Sequence, residues 1–155
     1  MFKKARDEGY TQVLWVDASF WAVKPLDMVF ERIEQDGYLF QFDGWFVGQW
    51  SNATCREYFG LSQQEADKLF MFHGGFMGLD FSSSVACAFF AQWEAACEAG
   101  AFKGSWEDHR HDMTCGSVVA NRLGMKQEED VRFFAYCSGE VTCPDETLTF
   151  MCAGM

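Results

Sequence analysis

The stretch "QVLWVDASFWAVKPLDMVFERIEQDGYLFQF" (12–42) decides how the chain is read. Gln12 to Val16 make a largely apolar run, as a strand does when both its faces are buried. Pro25 then opens a helical pattern in which Leu26, Val29, Phe30 and Ile33 share one face. Gly37 stands where such a helix needs a left-handed C-cap, and "YLFQF" (38–42) follows as a second strand. Strand, helix and strand in that order build a sheet covered by helices, so the expected class is α/β. Asp17 is the odd residue. A carboxylate at the end of an apolar strand serves equally as a turn former or as a ligand.

Working outward, "FKKARDEGY" (2–10) reads as the end of a helix closed by Gly9. After the second strand comes a loop rich in Gly and Trp, "DGWFVGQWSN" (43–52), and then two short helices. The second of these opens on a capping box, Ser62 with Glu65. "FMGLDF" (76–81) reads as a strand, with Gly74-Gly75 as turn chemistry before it. Ser82 to Ser84 can cap a long helix that carries Val85, Phe89, Trp93 and Cys97 at spacing four and ends at Gly100. A loop, "KGSWEDHRHD" (103–112), leads into a helix "MTCGSVVANRL" (113–123) closed by Gly124. "RFFAY" (132–136) and "TLTFM" (147–151) are short strands. With no repeat, low-complexity tract or linker, residues 1–155 read as one domain.

Composition narrows the function. Apolar residues make up 49% of the 155, with seventeen Phe and six Trp, so the chain builds a core and has aromatic side chains to spare for a surface. Self-association is one use for them. A net charge of −11 excludes the basic footprint that nucleic acid requires. It also makes direct binding of an anionic sugar nucleotide awkward unless a divalent cation intervenes. The seven cysteines contain no CxxC pair, and the closest spacing, Cys137 to Cys143, is too loose for a zinc motif. Cys87 and Cys97 read as small core residues, and reduced thiols in a cytoplasmic setting are the expectation. Asn52-Ala53-Thr54 matches a glycosylation sequon by chance. Neither a signal-type apolar segment nor a run long enough to span a membrane is present.

Three polar clusters interrupt the apolar pattern at strand ends or loops, where open α/β sheets bind ligands. They are Asp17-Ala18-Ser19; Gly74-Gly75, with Trp45 and Trp50 before it and Asp80 after; and the acidic and histidine run from Glu107 to Asp112. Singly, each has a plain structural reading: Asp17 a turn, the glycines a turn, Asp112 a helix N-cap. Trp45, Trp50 and Trp106 beside glycines are costly to expose unless they cover a site or stack on a ligand, and sugar faces suit such rings. Together, an aspartate at a strand end with imidazole and carboxylate from a distant loop suit Mn²⁺ or Mg²⁺. Such an ion can bridge the phosphates of a nucleotide diphosphate.

The order of these motifs resembles a known family. "GYTQVLWVDASFWAVKPLDMVFERIEQDGYLF" (9–40) resembles the region around the DxD motif of GT-A-type nucleotide-sugar glycosyltransferases. "HGGFMGLDFSS" (73–83) and "GSWEDHRHDMTCGSVVANRLGM" (104–125) are similar to the acceptor-side segment and C-terminal half of such enzymes. More narrowly, the chain resembles glycosyltransferase-like proteins of phage, large viruses and environmental sequences, from Gly9 to Gly154-Met155. The resemblance implies a GT-A-like mixed sheet with flanking helices that lacks the N-terminal nucleotide-binding strands, as in a fragment, a reduced relative or half of a split enzyme. It implies transfer of a hexosyl-type sugar from a nucleotide-diphosphate sugar to a glycan or other hydroxyl acceptor, with a divalent cation as cofactor. Asp17 would bind the metal or the sugar, with Ser19 assisting; Gly74, Gly75, Trp45 and Asp80 would line the donor pocket. Asp112 would be the general base on the acceptor hydroxyl if transfer inverts, and His111 a further metal ligand or a phosphate contact. Ser19 stands where the metal-dependent pattern has a second aspartate, which leaves a rival reading: an inactive module for glycan binding or for assembly in a virion or complex.

Overall fold

The structure is a computed structural model that describes residues 1–129, 133–137 and 149–153. Its centre is a three-stranded antiparallel sheet in the order β1–β4–β3, with β1 Gln12–Val16, β3 Tyr38–Phe46 and β4 Phe70–Asp80. A second sheet has the order β2–β6–β5, with β2 Phe20–Ala22, β5 Phe134–Cys137 and β6 Phe150–Ala153. There β5 and β6 run parallel and β2 is antiparallel to β6. The helices are α1 Phe2–Asp7, α2 Asp27–Asp36, α3 Ala53–Phe59, α4 Gln63–Ala66, α5 Ser84–Glu98 and α6 His111–Arg122. The class is therefore mixed α/β with two sheets and flanking helices, and no helix among the described residues is long and apolar enough to cross a membrane.

The deciding stretch folds as a split unit. β1, α2 and β3 follow in that order, with β2 of the second sheet between β1 and α2, but β4 lies between β1 and β3 and pairs with each of them in antiparallel register. This placement corrects the reading of β1 as a strand buried on both faces: all five of its residues are half-buried, because it is an edge strand. The doubly buried strand is β4, which explains its nearly unbroken apolar run. β4 also runs straight through Gly74 and Gly75, which are strand residues rather than the turn expected before position 76.

Alternation along β4 sends its side chains into two cores. Met77 and Leu79 join Phe40, Phe72, Phe89, Cys115 and Val118 beneath α5 and α6. Phe76 joins Val29, Ile33, Leu39, Phe134 and Phe150 beneath α2 and the second sheet. Phe40 and Phe72 stack with ring centroids 4.4 Å apart, so part of the phenylalanine surplus is core. Another part is surface: Trp21, Trp45, Phe70 and Trp106 are 40–55% exposed. Cys87 and Cys97 are exposed too, against expectation, because α5 buries Ala86, Phe89, Phe90 and Ala96 and turns both thiols to its flank.

Local signals behaved as their chemistry requires. Gly37 caps α2 at φ +82°, and Ser62 and Glu65 form the reciprocal capping box of α4. Asn52 of the sequon caps α3, its Oδ1 accepting from Cys55 N–H at 2.9 Å while its Nδ2 donates to the Lys103 carbonyl. The tail strands begin later than expected, at Phe134 and Phe150; Cys143, Gly154 and Met155 lie outside the described residues.

Gly78 sets how closely α2 approaches the sheet, since a Cβ there would lie 2.5 Å from Ile33 Cδ1 and 3.1 Å from Leu39 Cβ. Gly78→Ala should therefore destabilise the chain by about 1–3 kcal/mol through overpacking. Combined with Ile33→Ala, which removes the opposing atoms, it should cost less than the sum of the two single changes in a denaturant double-mutant cycle.

Candidate functional site

β1 ends opposite the glycine pair of β4. The Asp17 N–H donates to the Gly75 carbonyl at 3.0 Å, and a Cβ on residue 75 would lie 2.5 Å from Asp17 Oδ2. Glycine is thus required at 75 by the carboxylate itself. Asp17 remains solvent-exposed, and its Oδ1 accepts from Trp15 Nε1–H at 3.2 Å. Trp15 and Asp17 are two residues apart on the strand, so they share a face. Its main-chain carbonyl also accepts from Phe20 N–H at 3.0 Å, so Asp17 is both a turn residue and a presented carboxylate.

α6 brings up the second carboxylate. Gly74 packs on Met113, where a Cβ would lie 2.9 Å from Met113 Cβ, and this contact sets Asp112 in the first turn of α6 beside the glycine pair. The N-cap is Arg110, so Asp112 is not the cap. Crowding by protein atoms pushes the Asp112 carboxyl above the usual carboxylate range; its own and the Met113 N–H and His111 oppose this, and the Asp17 charge adds to it. Trp93 Nε1–H donates to the Asp112 carbonyl at 2.9 Å, fixing the segment against α5.

His73 completes the group. Gly75 N–H donates to His73 Nδ1 at 3.1 Å, which places the ring proton on Nε2, facing the Tyr136 hydroxyl. Burial pushes the His73 imidazole below its ordinary value and the Asp17 charge pulls it back. Next to these groups is a cavity of about 310 Å³ whose wall includes Trp15, Gly74, Met77, Trp93, Phe102 and Asp112, with the Lys3–Glu94 ion pair (2.9 Å) also lining it.

The expected site residues divide. Asp17 packs on Gly75, and Asp112 lines one cavity wall with the neighbouring Gly74, near enough to feel the Asp17 charge. Asp80 does not: it pairs opposite Gln12, five residues along β4 from Gly75, roughly 17 Å away at strand spacing. Its Oδ1 accepts from the Ser82 N–H and hydroxyl, a turn that leads into α5. Trp45 stands opposite Met71 at the bulged end of β3 and packs edge-to-face on Trp50. Trp50 and Trp106 hold the Arg110 guanidinium between them at 3.9 and 4.1 Å, so these rings have an internal partner. Ser19 Oγ turns to Cys152 Sγ at 3.3 Å, and His111 Nδ1–H donates to the Phe102 carbonyl at 2.8 Å while its ring stacks on Trp106.

A hard divalent cation needs several converging oxygen donors. Here Ser19 and His111 are engaged elsewhere, and among the described residues no trio including Asp17 has its ligand atoms within 4.8 Å of one another. The residues at this cleft do not fit the Mn²⁺ or Mg²⁺ site that the resemblance implies. Two participants escaped sequence reasoning. Trp15 was legible from its period-two spacing to Asp17, and His73 from its place directly before the glycine pair.

Because the folded-state pKa of Asp112 is raised, its contribution is harmless below the unfolded carboxylate pKa, and stability is lost as pH rises through the folded one. Asp112 is solvent-exposed, so screening weakens this penalty, and Asp112→Asn should raise the melting temperature only slightly at pH 7. The gain should vanish as pH falls below the ordinary aspartate range, measured by thermal denaturation across pH.

Comparison with family models, with curated proteins and with solved structures gave no match.

Proposed function

We propose that the chain is a glycosyltransferase-like domain that takes a sugar in the cleft between Asp17 and Asp112. The supporting observation is that Asp112 and Gly74 line a cavity walled by Trp15 and Trp93, while Asp17, which accepts from Trp15 Nε1–H and packs on the adjacent Gly75, stands near enough for its charge to act on Asp112. Carboxylates accept hydrogen bonds from vicinal hydroxyls, and tryptophan faces stack on the C–H faces of a pyranose. A neutral, hydroxyl-rich glycan suits a chain of charge −11, whereas the anionic diphosphate of a donor does not.

In this reading Asp17 fixes sugar hydroxyls, and Gly74 and Gly75 let the ligand approach the backbone. Asp112 is the general base. As the acceptor oxygen bonds to the anomeric carbon, its proton passes to Asp112 and the bond to the nucleotide diphosphate breaks with its electron pair on the leaving group. A carboxyl held above its usual range accepts that proton more readily near neutral pH than an ordinary one. His73, neutral and tied to Gly75, positions the strand that carries the cleft.

A second reading, glycan binding without transfer, is favoured by Ser19, which supplies neither a carboxylate nor an oxygen aimed at the cleft. The two readings separate in one set of measurements. In EDTA, uridine- or guanosine-diphosphate hexoses at a hundredfold excess over Kd should raise the melting temperature by about 5–10 °C. Asp17→Asn should abolish the shift, whereas Asp112→Asn should keep it and lose release of the nucleotide diphosphate to hydroxyl acceptors. Stabilisation by free oligosaccharides with no release by the wild type establishes the binding module instead, and no response to either ligand class sinks both readings.

A further inference from the structure

Away from the cleft, three ligand-type side chains converge in the core. Cys55 lies in α3, His109 in the turn before α6 and Cys115 within α6, and all three are buried with no exposed surface. Their ligand atoms lie within 4.8 Å of one another, and among the described residues no other set of three His, Cys, Asp or Glu does so. The two sulfurs are 3.7 Å apart. Tetrahedral zinc with Zn–S bonds of ~2.3 Å places two thiolate sulfurs about 3.8 Å from each other, so this separation is already that of a zinc site's edge.

The histidine supplies an independent reason. Both its ring nitrogens face main-chain carbonyls, Nδ1 at 3.2 Å from Trp50 O and Nε2 at 3.0 Å from Ala101 O. A neutral imidazole has one proton, so one nitrogen must present its lone pair to a carbonyl oxygen. A doubly protonated ring satisfies both, but buries a cation with no carboxylate bonded to it. With the proton on Nδ1 and donated to Trp50, the Nε2 lone pair faces the Ala101 oxygen, a repulsion that a cation held by Nε2 and the Cys115 sulfur, itself 3.4 Å from Ala101 O, would relieve. A metal-bound histidine adopts this tautomer, its other N–H held by a carbonyl.

We propose that Cys55, His109 and Cys115 bind a soft divalent cation, Zn²⁺, through two thiolates and Nε2. Each thiol gives up its proton on binding, so ion and thiolates sum to no net charge, which suits the dry core. The Ala101 carbonyl oxygen, near both Nε2 and Cys115 Sγ, is placed to close the fourth position. The ion would tie α3 to α6 and to the loop between α5 and α6. Gly104 lets that loop close over the cluster, since a Cβ there would lie 2.5 Å from Asn52 Nδ2 and 2.9 Å from His109 Cβ. This site is independent of the sugar reading, and its test uses no sugar.

The test is metal loading of the reduced, chelator-stripped full chain. One equivalent of Zn²⁺ should be retained through gel filtration and should raise the melting temperature by several degrees. Co²⁺ should give the intense visible bands of a tetrahedral site with thiolate charge transfer. Cys55→Ser with Cys115→Ser should lose both signals, while Cys87→Ser with Cys97→Ser, which alters two exposed thiols of α5, should keep them. If the Cys55/Cys115 double variant does not fold, the wild-type cobalt spectrum decides by itself. Octahedral cobalt bands, zinc retention no greater than that of a folded Cys55/Cys115 variant, or a Cys55–Cys115 disulfide in the freshly purified protein would overturn the proposal.

Discussion

One steric fact organises this molecule: the Asp17 carboxylate occupies the space that a Cβ on residue 75 would fill. Everything around the cleft follows from it. Residue 75 must be glycine although it sits in the middle of a central strand, where glycine weakens packing and costs entropy. β1 gives out at Val16: the Asp17 N–H still bonds the Gly75 carbonyl, but its side chain turns a charged group onto β4 and its carbonyl closes the turn to Phe20. The vacated volume also lets the Gly75 N–H reach back to His73 Nδ1, which fixes the imidazole tautomer. A strand that gives up side-chain packing at two successive positions does so for the groups that approach there, Asp17 at one and Met113 of α6 at the other.

Local chemistry was legible in the sequence and non-local pairing was not. The α2 face of Val29 and Ile33, its Gly37 cap and the Ser62–Glu65 box rest on contacts within a few residues, and each stands as read. Asp17, Gly74, Gly75 and Asp112 could be grouped because each interrupts an apolar pattern at an element boundary. The doubly buried reading of β1 and the turn reading of the glycine pair both give way to strand order, since which strand lies between which is a property of the sheet that no local period encodes. Trp45 and Asp80 stand apart from this group for a different reason: β4 carries Asp80 to the far end of the sheet, and Trp45 packs on Trp50 at the bulged end of β3.

The cysteine and histidine cluster shows the same limit from the other side. Spacing rules for metal sites detect ligands that lie close together in the chain, as in hairpins and short turns. Cys55 comes from a helix far upstream of His109 and Cys115, so the trio exists only once α3 and α6 have packed. A cysteine count of seven without a CxxC pair therefore says little about whether thiols meet in space.

The entry to α6 links these two regions physically. His111 has φ +44°, an uncommon conformation for a residue with a Cβ, of the sort that costs of order 1–3 kcal/mol and persists only where its surroundings over-determine it. The surroundings here are specific. The Trp50 carbonyl accepts from Arg110 N–H at 3.2 Å and from Thr114 Oγ1–H at 2.9 Å, and it faces His109 Nδ1. The Phe102 carbonyl holds His111, and the rings of Trp50 and Trp106 enclose Arg110. Asp112 follows immediately, so the bend that places it on the cavity wall is set by the groups that bury His109. That division explains the tryptophans. Trp50 and Trp106 are committed to holding the bend, so the tryptophan surface on the cavity wall is that of Trp15 and of the part of Trp93 not packed on Phe2, Phe89, Phe90 and Phe102.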